Sequence, residues 1–179
     1  RREVGTQRQE LAAAIDEQAA KLEFFPNYVD TYTVPLVKLA KKLAQIMPGD
    51  LEVSFFVNSG SEANETALKM ARQFHWEAGE KHRYKFVARR YSYHATTLGG
   101  QSVTGLPWFR EPFEPLLPGA VFAPSARCHC CELGLKRKDC GLGCLKQMEK
   151  LLEWEKPETV AAVIMDPIPG SNVGYPLPP

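Results

Sequence analysis

Phe55-Phe56-Val57-Asn58-Ser59-Gly60-Ser61-Glu62-Ala63-Asn64-Glu65 is the stretch from which the rest of the chain is read. An apolar run, Leu51 to Val57, stops at the small polar triplet Ser59-Gly60-Ser61. A helical pattern follows at once, with Ala63, Ala67, Met70, Ala71 and Phe74 on one stripe. The order is therefore strand, tight turn, helix, with the strand expected over Val53 to Val57. Such a turn leaves the first N–H groups of the helix without intrahelical acceptors. Those donors, with the positive end of the helix dipole, suit a bound anion, above all a phosphate. Gly60 lets an anion approach the backbone, and the Ser59 and Ser61 hydroxyls add donors. The same residues also spell S-x-x-E, from Ser59 to Glu62, a capping box that needs no ligand at all.

Working outward, the chain alternates. Leu11, Ala14, Ile15, Gln18 and Leu22 predict a helix from about Thr6 to Phe24, broken at Pro26-Asn27. Pro35 starts a second helix with Leu36, Leu39, Ala40, Leu43 and Ile46 on one face. Pro48-Gly49-Asp50 is a turn, and the helix after Ser61 runs to about Ala78, with Gly79 as its cap. Lys85 to Arg89 and Ala120 to Ala123 read as short strands, with a short helix over Thr96 to Val103 between them. Prolines at 107, 112, 115 and 118 mark an irregular connection, and Cys128 to Cys140 a cysteine-rich loop. Leu145, Met148 and Leu152 predict a helix ending before Pro157. Thr159 to Met165 is apolar on both faces, as a buried parallel strand is, and stops at Asp166-Pro167.

Strands alternating with helices predict an α/β fold, a mostly parallel sheet flanked by helices. Ligands of such sheets bind at the carboxyl ends of the strands. Three of those ends are polar here: Ser59-Gly60-Ser61, Tyr93-His94 and Asp166. We divide the chain into an N-terminal helical segment, 1–50, and a sheet-bearing part, 51–179.

Composition excludes several classes. The 179 residues suffice for a core, and 44% hydrophobic with 24% charged residues is ordinary for a globular domain. A net charge of +1 gives no reason to expect nucleic acid or an anionic membrane as partner. No apolar run approaches the roughly 20 residues of a membrane span. Arg1-Arg2-Glu3 leads straight into a helical pattern, so no signal peptide is expected, and a start on Arg1 and an end on Pro178-Pro179 suggest cut ends. The five cysteines are read as reduced thiols in a cytoplasmic protein. The competing reading of Cys128, Cys130, Cys131, Cys140 and Cys144 is a zinc module, in which four thiolates would close a tetrahedral site.

Phe-x-Asn-Ser-Gly-Ser-Glu-Ala-Asn-Glu-x-Ala at Phe56 to Ala67, followed by Ala71-Arg72, resembles the class III (ω-) aminotransferases, which use pyridoxal 5'-phosphate on the fold-type-I scaffold. Tyr93-His94 with Thr104-Gly105 is similar to that family's Tyr-His-Gly segment, and Asp166-Pro167 with Gly170 to its Glu-Pro segment. Leu36 to Asp50 and the pattern Cys131, Cys140, Gly141, Cys144 also look like this family. The resemblance implies that Ser59, Gly60 and Ser61 hold the cofactor phosphate, that Tyr93 stacks on the pyridine ring and that His94 lines the site. It implies that Asp166 orients the group meeting the pyridine nitrogen. Two positions depart from the pattern: Ala95 stands where the family has Gly, and Asp166 is one methylene shorter than Glu.

The resemblance further implies an amine or ω-amino acid donor, a keto-acid acceptor and a homodimer. The family's pyridine-nitrogen aspartate and its Schiff-base lysine lie C-terminal to the Glu-Pro segment, whereas no lysine follows Lys156 here. No catalytic residue is therefore expected within these 179 residues, which would bind cofactor but not transaminate alone. A non-catalytic relative that only binds the cofactor or a partner is the alternative.

Overall fold

The computed structural model describes residues 8–26, 30–170 and 174–175. Thr6 and Asn27, at the expected limits of the first helix, lie outside them. The chain divides into two compact units, 1–55 and 56–179. The first carries α1 (Gln9–Lys21) and α2 (Val34–Ile46), the latter with proline at its start, where the missing N–H costs nothing. Among the described residues no helix is long and apolar enough to cross a membrane.

The second unit contains α3 (Gly60–Glu77), β1 (Lys85–Arg89), α4 (Leu98–Ser102), α5 (Pro107–Arg110), β2 (Ala120–Ala123), α6 (Gly143–Trp154) and β3 (Val160–Val163). The three strands form one parallel sheet in the order β2-β1-β3. Strand alternation sends Phe86 and Ala88 to one face and Val87 to the other. Phe86 and Ala88 pack with Val103 against Leu68 and Ala71 of α3. Val87 and Ala123 pack with Val160 against Met148, Leu151 and Leu152 of α6. Helices thus cover both faces, which is why β1 is apolar on both sides and buried throughout its middle.

Two expectations are corrected. Residues 51–57 form no strand. A strand exists only by pairing, β1 already has a neighbour on each side, and this apolar stretch joins neither outer edge. The helix after it is present, but of its expected stripe only Ala71 faces inward, while Ala63, Ala67, Met70 and Phe74 are exposed, the last two at 45% and 69%. The inward stripe is Ser61, Asn64, Glu65, Leu68, Ala71 and His75, all partly buried. Its first half is polar because it binds a loop rather than a core. His75 closes its far end, with Nε2 2.9 Å from the Ala161 carbonyl oxygen.

Candidate cofactor site

The turn at Ser59-Gly60-Ser61 is built by capping. Ser59 is extended (φ −153°, ψ 163°) and its Oγ accepts the Glu62 N–H at 3.2 Å. The Glu62 carboxylate reaches back to the Asn58 N–H at 2.7 Å and to the Asn58 side-chain amide at 3.2 Å. Both halves of a capping arrangement are present, so this reading of Ser59 and Glu62 holds. It leaves the N–H groups of Gly60 and Ser61, first in the helix, without acceptors in α3. The space beside Gly60 is open: a Cβ built there meets no heavy atom within 4 Å.

The segment after β1 lies along the first two turns of α3. Ser61 Oγ accepts the Thr96 N–H at 3.2 Å and lies 3.3 Å from Thr96 Oγ1. The Asn64 side-chain amide donates to the His94 carbonyl. Glu65 Oε1 accepts the Gly100 N–H at 3.0 Å. From the other side Thr104, fully buried, accepts from the His94 N–H at 3.1 Å and the Ala95 N–H at 3.4 Å, and donates to the Gly100 carbonyl at 3.0 Å. Ala95, the departure from glycine, is also fully buried. Its methyl fits because residue 100 is a glycine, where any Cβ would overlap it.

Tyr93 is 39% exposed, its ring tilted at 56° to Phe109 with centroids 5.6 Å apart. His94 turns inward, its side chain only 4% exposed, and its Nδ1 lies 3.9 Å from Asp166 Oδ1 just beyond β3. Its Nε2 is buried with no hydrogen-bond partner among the described residues. Burial pushes the imidazole pKa below its ordinary value, and the Asp166 carboxylate opposes that shift.

The structure therefore brings together Ser61, the 93–96 segment and Asp166 at the carboxyl ends of β1 and β3, where a parallel sheet places its ligands. Gly60 sits with Ser61, while Ser59 works as the cap. Asn64, Glu65, Thr96 and Thr104 were given no role by sequence reasoning. Each acts through a contact 9 to 35 residues away, of which helix periodicity carries no trace. Two cavities lie beside these residues: one of about 150 Å³ behind α3, by Glu65, Leu68 and Arg72, and one of about 330 Å³ by Tyr91 and Arg110. Neither includes Ser61, Tyr93 or Asp166. Lys85 sits at the opposite end of β1, its ammonium 2.8 Å from the Glu155 carboxylate, a pairing that raises its pKa.

The family profile described as Aminotransferase class-III matches residues 2–178. The chain belongs to the class III aminotransferases. Over 177 residues it is 39% identical to a protein named a probable aminotransferase of Mycobacterium tuberculosis, covering 99% of this chain and 38% of that one. It is 34% identical to the adenosylmethionine-8-amino-7-oxononanoate aminotransferase of Methanocaldococcus jannaschii, covering 97% and 39%. Among solved structures it matches the (S)-enantioselective omega-transaminase of Thermomicrobium roseum with a TM-score of 0.91 at 35% identity, covering 98% and 39%. The omega-transaminase of Pseudomonas jessenii in complex with PMP gives 0.90 at 32%, covering 97% and 38%. The chain spans about two-fifths of the length of these relatives.

Proposed function

We propose that this chain is the phosphate- and ring-binding part of a pyridoxal-5'-phosphate-dependent aminotransferase that moves an amino group from an amine or ω-amino acid to a keto acid. The observation that carries the reading is the open N-terminus of α3 at Gly60-Ser61, with the Tyr93–Thr96 segment fastened along it. Membership of the class III family supports the cofactor, and one structural neighbour is a complex with PMP. Homodimer formation and a cytoplasmic location belong to the same reading, on the resemblance alone.

The residues fit that cofactor. The Gly60 and Ser61 N–H groups and the Ser61 hydroxyl are donors around an open space, the environment a phosphate needs. The Ser61 hydroxyl oxygen accepts from Thr96, which leaves its proton for an anion. Tyr93 offers a half-exposed aromatic face at the carboxyl end of β1, fit for ring stacking. Asp166 supplies a carboxylate beyond β3, its Oδ1 3.9 Å from His94 Nδ1. When bound, the cofactor is the electron sink for breaking the donor's C–H bond. The base for that proton must lie within hydrogen-bond reach of the reacting carbon. Lys85 is held by Glu155 at the opposite end of β1, away from Ser61 and Tyr93, and does not supply that base.

Cofactor titration of full-length Gly60→Asp tests the reading. A carboxylate in the open space beside Gly60 should raise the cofactor Kd at least about tenfold, a loss of ~1.4 kcal/mol. An unchanged Kd would remove the phosphate from this turn.

A further inference from the structure

The cysteine loop plays no part in the function proposed above, yet the fold gathers it. Cys128, Cys131, Cys140 and Cys144 line one cavity of about 20 Å³ together with Arg127 and Arg137. Cys130 is exposed and is not in its lining. One wall is the turn at Cys128–Cys131; the other runs from Arg137 to the first turn of α6. All five thiols are free. Cys128 Sγ and Cys140 Sγ donate, at 3.9 Å and 3.3 Å, to the carbonyls of Ala126 and Arg137 in their own walls.

The cavity is too small for an organic ligand and has room for about one water molecule. The thiols are not disposed as metal ligands either: among the described residues no group of three or more His, Cys, Asp or Glu is placed to hold an ion. Four thiols that line so small a void face one another across it. The segment 132–139, between Cys131 and Cys140, is irregular and made of short turns, with no helix or strand in it.

We propose that this cavity is a thiol–disulfide site, at which one cysteine of the Cys128/Cys131 wall bonds to one of the Cys140/Cys144 wall. The oxidant is a low-molecular-weight disulfide such as oxidised glutathione. A protein thiolate attacks it, forming a mixed disulfide and releasing one small thiol. The facing protein thiolate then displaces the second small thiol. Two protein thiols lose two electrons and two protons, and the small disulfide gains both. The link fastens a loop that already holds the end of β1: Glu132 Oε2 lies 2.9 Å from Arg90 Nη1, and the Arg127 guanidinium stacks 3.4 Å from the Tyr91 ring centroid.

The test is exposure of the full-length protein to glutathione buffers of graded poise, acid quenching, alkylation of residual thiols and peptide mapping. The expected product is one internal disulfide per chain joining the two walls. It shows as the loss of two hydrogen masses and is reversed by dithiothreitol. It should persist in Cys130→Ser and vanish when Cys140 and Cys144 are both replaced by serine. Mapping of the unsubstituted protein decides the matter even if that double variant does not fold. Glutathione adducts without an internal bond, a bond through Cys130, a bond within one wall, or a stoichiometric zinc shielding the thiols would each overturn the proposal.

Discussion

His94 Nδ1 lies 3.9 Å from Asp166 Oδ1, and the two come from segments following different strands of the sheet, β1 and β3. The imidazole is buried and its pKa is lowered, first by desolvation, with Asp166 pulling the other way. The unfolded chain therefore binds a proton more readily than the folded one. Stability from this group is full above the ordinary histidine value of 6.5 and is lost as pH falls through the lowered value. The His94 NMR titration midpoint should lie below 6.5 and drop further in Asp166→Asn, which removes the opposing charge. A rise on that substitution would refute the arrangement.

Thr104 holds the turn after Tyr93 from inside the fold, through two accepted hydrogen bonds and one donated. Thr104→Val keeps the shape and leaves two buried N–H groups and a carbonyl short of a partner. Urea unfolding should show a loss of about 1–3 kcal/mol. A loss below about 0.5 kcal/mol would mean that water replaces the hydroxyl there.

Tyr93→Ala should cost the full-length protein the ring contact with its cofactor, roughly 1 kcal/mol beyond area burial, or about fivefold in Kd. The absorption band of the bound cofactor should shift as well. If neither changes, the exposed face of Tyr93 serves Phe109 alone.

Gly105→Ala tests close backbone approach. A Cβ at residue 105 would overlap the Arg89 carbonyl oxygen and sit 2.8 Å from the Arg90 Cα. Both neighbours are backbone at the end of β1 and have no rotamer to change. The variant should lose more than about 3 kcal/mol or fail to accumulate as folded protein. By contrast Gly60→Ala, facing open space, should fold with near-parental stability, and thermal unfolding of the pair makes the comparison.

What could be read from the sequence follows the range of the forces involved. β1, β2 and β3 are apolar runs bounded by turn residues. β1 and β2 form where the pattern puts them, whereas β3 covers only Val160–Val163 of the expected Thr159–Met165 and, lying at the sheet edge, leaves Val163 41% exposed rather than buried. Residues 51–57 carry the same local signal, but a strand is a pairwise object and the signal does not name its neighbour. In α3 the expected apolar stripe faces outward except at Ala71, because Ser61, Asn64 and Glu65 use the inner face for hydrogen bonds. In the site, Gly60, Ser61, Tyr93, His94 and Asp166 were identified from motifs. Thr96 was not, and Thr104 stood in a quoted motif without a role, since a threonine that bonds across the fold looks in sequence like any other.

The contact at Gly105 also bears on how this scaffold can be altered. Tyr91 adopts a left-handed conformation (φ 64°), its N–H donating to the Gly105 carbonyl at 2.8 Å, and the Gly105 N–H donates to the Ser92 carbonyl at 2.9 Å. These paired bonds set the direction in which the chain leaves β1, two residues before Tyr93. Substituting Tyr93 leaves both of these bonds intact; introducing any side chain at residue 105 re-aims the whole segment. A library built on this protein should hold position 105 as glycine and spend its diversity downstream.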